Sequence, residues 1–274
     1  LSQQTVMLTQ SYRFTANSKI GQISRAINKG ESVDLSELQV QGQSAQDKIV
    51  VYEPSQARNA DLIDLFKNTW QDWLNQLKPY LTNHAGILSE CEDEAAYQLL
   101  KAFSQFQVLC AVREGSWGVV NFNRIIAQGF GFPNAQWFVG RPVMVTQNNY
   151  HLKLMNGDIG LCLPKDGTLK VAFLSSNNTI QWVLPSRLES VESVFAMTVH
   201  KSQGSEFAHT ALILPDALNP VLTKELIYTG ITRAKHWFTL IEPRAGVFEE
   251  AVQRKVKRLS GLMLELEESN ESQG

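Results

Sequence analysis

The chain of 274 residues is poor in cysteine, with three in all. Cys91, Cys110 and Cys162 lie far apart, are odd in number and form no C-x-x-C pair. That argues against a disulfide scaffold or a structural zinc and fits a reduced, cytoplasmic protein. The five histidines lack ligand spacing, so no metal site is expected. Excess positive charge is also missing. Lys and Arg number 25 against 27 Asp and Glu, a net charge of −2, so any nucleic-acid contact would be local rather than a field over the whole surface. No apolar run is long enough to span a membrane. Nowhere does the phosphate-cradling pattern G-x-x-x-x-G-K-[ST] occur. The opening Leu1-Ser2-Gln3-Gln4 has neither Met nor a signal-peptide pattern and runs at once into a strand-like Val6-Met7-Leu8, so the chain reads as a piece of something longer.

What is present is an ordinary globular composition, 43% hydrophobic and 19% charged. Ser18 can cap a helix carrying Ile20, Ile23 and Ile27, with Gly30 at its end. Ile49-Val50-Val51-Tyr52 predicts a buried strand. Residues 57–81 read as one long helix with Trp70 and Trp73 on its apolar side, ended or kinked by Pro79. Ser89-Glu90-Cys91-Glu92 has the form of a capping box before a helix with Ala96, Leu99, Leu100 and Phe103. A buried strand over 107–112 and a helix over 119–128 follow. Beyond Gly129 the texture becomes β: runs at 142–146, 159–163, 169–174 and 179–184 are separated by turns at Asn156-Gly157-Asp158 and Lys165-Asp166-Gly167. Residues 139–192 are therefore expected to be a small all-β insert, a barrel, within an α/β domain. The doubly apolar run at 194–199 predicts a central parallel strand. Strands at 210–214 and 236–241 flank a helix from Thr223 to about Lys235. A last helix carries Arg254, Lys255, Lys257 and Arg258, and the acidic tail 265–274 reads as disordered.

Two segments carry chemistry. Thr198-Val199-His200-Lys201-Ser202-Gln203-Gly204-Ser205-Glu206-Phe207 leaves the carboxyl end of a buried strand, where open parallel sheets place ligands. Its small and polar residues expose amides and hydroxyls suited to phosphate oxygens. In Tyr228-Thr229-Gly230-Ile231-Thr232-Arg233-Ala234-Lys235, Arg233 lies off the buried stripe. It either complements the helix dipole or acts as an arginine finger on a γ-phosphoryl group. Arg13, in Leu8-Thr9-Gln10-Ser11-Tyr12-Arg13-Phe14, is either a surface ion-pair residue or a third functional position. Trp117, Phe122, Trp137, Phe138 and Trp182 could stack bases, but core is the better reading for most of them. Asp93-Glu94-Ala95-Ala96 mimics an acidic Mg²⁺ motif, yet it follows a helix cap, where acidic residues have a simpler reason to stand.

The segment at 198–207 resembles motif V of the superfamily 1 helicases, 228–235 resembles motif VI and 8–14 is similar to motif IV, in that family's order. Gln107 to Gly115 with Gly118-Val119, and Gly140-Arg141-Pro142-Val143-Met144 running on to Asn148-Asn149-Tyr150 and Asn156-Gly157-Asp158-Ile159-Gly160, resemble the RecD type. The resemblance implies an α/β fold: a RecA-like parallel-sheet lobe of the P-loop NTPase type (1–138 and 193–264) interrupted by an SH3-like β-barrel (139–192). It implies the second motor lobe of an ATP-dependent 5′→3′ DNA helicase, with RecB-like and RecC-like subunits as partners. Arg13 and Arg233 would contact the γ-phosphate, with Gly204 and Glu206 beside the nucleotide. Thr198, His200, Lys201 and Ser202, with Asn149 and Tyr150 of the insert, would face single-stranded DNA. ATP and Mg²⁺ would depend on a first lobe upstream, so the piece alone would be inactive and hold neither tightly. The alternatives are a non-catalytic DNA- or subunit-binding adaptor, or another helicase of the superfamily such as a conjugative relaxase-helicase.

Overall fold

The computed structural model describes residues 14, 18–31, 33, 48–52, 59–81 and 89–254. Its main sheet joins β1 (Lys48–Tyr52), β2 (Phe106–Cys110), β8 (Ala196–Thr198), β9 (Phe207–Ile213) and β10 (Ala234–Ile241) in the order β1-β10-β9-β2-β8. Every pairing is parallel. β2 is buried at each position and β9 at all but one. Such unbroken apolar strands need cover on both faces. Helices supply it: α1 (Lys19–Lys29), α2 (Asn59–Thr69), α3 (Gln71–Leu81), α4 (Asp93–Phe103), α5 (Val119–Gly129), α6 (Lys224–Ile231) and α7 (Val247–Gln253).

Local chemistry explains many of the ends. The Ser18 side chain accepts from the Gly21 amide, and Gly30 closes α1 in the left-handed region at φ 73°. Thr223 caps α6 by accepting from the Leu226 amide. Elsewhere tertiary packing overrides the pattern. The expected long helix is two, α2 and α3, divided at Trp70 although the Trp70 N–H still reaches the Phe66 carbonyl and the Leu74 N–H the Trp70 carbonyl. The Thr69 hydroxyl bonds back to the Leu65 carbonyl, a contact that bends helices. The Trp70 indole meanwhile donates to the Phe103 carbonyl. Pro79 sits inside α3 and does not end it. Trp70 and Trp73 belong to the core, as do Phe122 and Phe138. Trp117, Trp137 and Trp182 pack against the two cores from partly buried positions.

A second, antiparallel sheet is formed by β3 (Pro142–Val145), β4 (Ile159–Lys165), β5 (Thr168–Leu174), β6 (Ile180–Val183) and β7 (Val191–Ser193), in the order β6-β5-β4-β3-β7. It has its own small core around Val143, Cys162, Val171 and Phe173. The β4–β5 turn puts Asp166 at φ 52° and Gly167 at φ 71°, the paired positive angles of a two-residue hairpin turn. A barrel was expected for this insert; among the described residues its five strands form one ladder, with no pairing between β6 and β7.

Candidate functional site

β8 was expected in the centre of the sheet, but among the described strands it stands at the end. Its outer edge is closed by a side chain: Asn123 of α5 donates to the Ala196 carbonyl at 2.9 Å and accepts from the Ala196 amide at 3.1 Å. Behind it, the buried Gln107 side chain donates to the Phe195 carbonyl at 3.1 Å. The Asn123 side chain thus stands where a further strand would, and the strand can be apolar on both faces yet stand last among the described strands.

From the end of β8 the chain forms a 3₁₀ turn, His200–Ser202, and then enters β9. β2 lies between β8 and β9, and all three are parallel. Residues 199–206 must therefore cross the sheet from its carboxyl edge to its amino edge. The segment leaves the carboxyl end of β8 as expected, and then runs on to the amino edge.

At the amino edge, Gly204 takes φ 88°, a left-handed angle that disfavours any side chain. Glu206 pairs with Lys235 at 3.4 Å. Arg233 is not on the helix: α6 ends at Ile231 and β10 begins at Ala234, so Arg233 and Lys235 fall in the turn and the strand. Its side chain is 8% exposed. The guanidinium donates to the Thr229 carbonyl at 3.1 Å, to the Ser205 carbonyl at 3.1 Å and to the Thr232 hydroxyl at 3.3 Å. The Arg233 carbonyl accepts from the Phe207 amide. The arginine thus satisfies a carbonyl of the last helical turn and at the same time grips the segment that carries Gly204 and Glu206. Arg13 lies outside the described residues.

At the carboxyl edge the Thr198 hydroxyl accepts from the Lys201 amide at 3.3 Å, and His200 is exposed. Lys201 forms a close ion pair with Glu192. Ser202 departs from its expected outward position: it is fully buried, and its hydroxyl donates to the Val199 carbonyl at 2.7 Å. A cleft of about 350 Å³ lies between this turn and the start of α6, lined by His200, Gln203, Thr223, Glu225 and Thr229. In the insert, Asn149 spends its side-chain oxygen on the Leu152 amide at 3.1 Å, and its amide and carbonyl bridge to Leu154. Tyr150 is 74% exposed. So within this pair it is Tyr150, not Asn149, whose side chain is offered to solvent.

Sequence reasoning missed the docking of the insert. Glu90 accepts from the Asp166 and Gly167 amides at 2.6 and 2.7 Å. Asp93 accepts from the Trp182 indole at 2.8 Å, while Lys165 pairs with Glu92 at 3.2 Å. The acidic stretch is thus a socket for the β4–β5 hairpin and for Trp182 of β6. The N-cap of α4 is Glu92, with no side-chain cap bond, in place of the expected Ser89 box. At the other end of the insert, Glu192 of β7 meets Arg113 at 3.1 Å as well as Lys201. Partial burial pushes the Glu192 carboxyl up, but the bonds from Lys201 and Arg113 outweigh it and hold the group below its ordinary value. Only an unusual density of charge at 90–93 hinted at any of this.

Residues 193–241, which run from the end of β7 through β10, match the UvrD-like helicase C-terminal domain. With the parallel sheet and the crossing segment, this makes the chain a helicase-type C-terminal lobe. More narrowly, it is a relative of the RecD subunits of RecBCD enzyme. It is 36% identical to RecD of Haemophilus influenzae over 277 aligned positions, covering 96% of this chain and 41% of that protein. It is 34% identical to RecD of Mycobacterium tuberculosis over 203 positions, covering 72% of this chain and 35% of that protein. The chain thus spans about two fifths of the length of the curated relatives it matches. Pif1 helicase from Bacteroides, in complex with ADP-AlF3 and ssDNA, superposes with 14% identity and a TM-score of 0.41 over 98% of this chain and 57% of that one. Among the described residues no helix is long and apolar enough to cross a membrane.

Proposed function

We propose that this chain is the second motor lobe of an ATP-dependent 5′→3′ DNA helicase, the α subunit of an exodeoxyribonuclease V acting with RecB-like and RecC-like partners in recombinational repair of double-strand breaks and DNA degradation. The observation that carries the reading is the single segment 199–206. It spans the sheet from an edge with exposed cations to an edge where Arg233 is hydrogen-bonded into it. One continuous piece of chain thereby links a DNA side to a nucleotide side.

On the nucleotide side, Arg233 and Glu206 form half of a pocket, with open space around Gly204. The other half, with the phosphate loop and the Mg²⁺ ligands, belongs to a first lobe. Among the described residues no group of three or more His, Cys, Asp or Glu side chains could hold a metal. When bound, ATP supplies the γ-phosphoryl group to be transferred; the residues here bind and sense it. Arg233, freed from the Thr229 carbonyl, would donate to a γ-phosphate oxygen and carry the Ser205 backbone with it. Arg13 is assigned to the same γ-phosphate by the resemblance of residues 8–14 to motif IV. On the DNA side, Thr198, His200, Lys201 and Tyr150 are the contacts, while Ser202 and Asn149 shape the backbone that presents them. Residues 139–192 are the insert that lines the DNA path.

The test uses a chain carrying both lobes. Arg233→Ala and Arg233→Lys are compared for nucleotide binding, DNA-stimulated ATPase and unwinding, with thermal melting to verify folding. Loss of turnover by roughly 10³-fold or more with binding largely kept is expected of an arginine finger. Unimpaired unwinding by a folded Arg233→Ala protein refutes the assignment.

A further inference from the structure

Arg113 and Lys201 come from different parts of the chain but end side by side. Arg113 follows β2 and Lys201 follows β8, and these strands run in register to the same edge, Cys110 opposite Thr198. Between them stands Glu192, with one carboxylate oxygen on Lys201 and the other on Arg113 at 3.1 Å. The exposures are graded: 52% for the Arg113 side chain, 34% for Lys201 and 23% for Glu192. The carboxylate is therefore the least exposed of the three groups, and both cations are open to an anion arriving from solvent. Glu114 also borders Arg113 at 3.7 Å, but it is 75% exposed and well placed to swing away. Two oxygens shared between an arginine and a lysine is how a backbone phosphate is commonly held.

We propose that Arg113 and Lys201 form one binding site for a phosphate of single-stranded DNA, and that Glu192 occupies this site from within when DNA is absent. A phosphodiester entering the site takes both cations and displaces the carboxylate, which belongs to the last strand of the insert. Arg113 thereby becomes a DNA contact that its sequence context did not single out, and Glu192 a residue that sets affinity without touching DNA. This rests on the reading of residues 198–202 as the DNA side.

The experiment is binding of a labelled oligothymidylate by fluorescence anisotropy over a salt series, with the 274-residue chain as wild type, Glu192→Gln, Arg113→Ala and the double variant. Glu192→Gln removes the internal competitor at nearly constant shape. It should tighten binding about three- to tenfold and steepen the logarithmic salt slope by about 0.7, the increment for one phosphate on a single strand. Arg113→Ala should weaken binding and make the slope shallower by a similar amount, and in the double variant most of the Glu192→Gln gain should vanish. If wild type binds but Glu192→Gln binds equally or more weakly, the ion pairs only pin the insert and the inference is wrong while the DNA reading stands. Binding by Glu192→Gln alone would support it strongly. If neither binds even at low salt, the DNA reading falls and takes the inference with it.

Discussion

Asn123→Ala is the sharpest test of how this lobe holds its crossing segment. The Asn123 amide closes the outer edge of β8 through two bonds to Ala196, at 2.9 and 3.1 Å, and adds a third to the Val119 carbonyl at 3.1 Å. Ala196 is 1% exposed, so truncation strands one backbone donor and one acceptor away from water. Each such group costs about 1–3 kcal/mol when left unpaired. Asn123 itself is half-buried, and the space it vacates can admit water to part of the edge, which favours the lower half of the range. The expected loss is about 2–4 kcal/mol in all. Asn123→Asp should be no better, because it keeps the acceptor for the Ala196 amide but sets a negative charge against the Ala196 carbonyl. Guanidinium denaturation measures the loss, and amide hydrogen exchange at Ala196 and Met197 shows whether it is local. Because β8 leads directly into Thr198 and Lys201, faster exchange there should accompany weaker DNA binding at constant global fold. An Asn123→Ala protein within about 0.5 kcal/mol of wild type, with the Ala196 amide still protected, would mean that another group closes the edge and would sink the argument.

Gly204→Ala tests backbone conformation alone, since a Cβ there meets nothing within 4 Å but must adopt φ 88°. A loss of about 1–2 kcal/mol in thermal unfolding is expected, less for Gly204→Asn; no loss for alanine would refute the left-handed requirement. His209 gives a pH dependence. Burial, helped by the charge of Lys48, lowers its pKa from 6.5 to about 3, so between those values the unfolded chain binds a proton that the folded one refuses. The contribution is complete above pH 6.5 and is lost as pH falls toward 3, with a slope of at most about 1.4 kcal/mol per pH unit. Denaturation midpoints for wild type and His209→Gln should diverge in that window, and parallel curves would contradict the buried neutral imidazole. The Arg233 pair of variants separates the finger from the strut: Arg233→Lys should stay folded more nearly like wild type than Arg233→Ala, yet lose turnover as severely.

Much of the fold was legible in short stretches of sequence. The apolar runs that became β2 and β9, the Ser18 and Thr223 caps, Gly30 and the Asp166-Gly167 turn are decided by backbone preference and by burial on one or both faces, which neighbouring residues encode. The order of residues 198–207 and 228–235 likewise points by itself to a helicase lobe. What the sequence could not decide were contacts between distant residues. The Trp70 indole, at the point where the expected long helix divides, has its partner in Phe103, 33 residues away. The acidic stretch at 90–93 acquires its purpose from Trp182, 89 residues beyond Asp93. β8 stands last among the described strands, its edge closed by Asn123, 73 residues earlier. Arg233 and Ser202 turned inward because nearby carbonyls needed donors, a demand visible only once the crossing segment was in place. Side-chain type and spacing specify which bonds a residue can make; the packed chain alone determines which partner is close enough to make them.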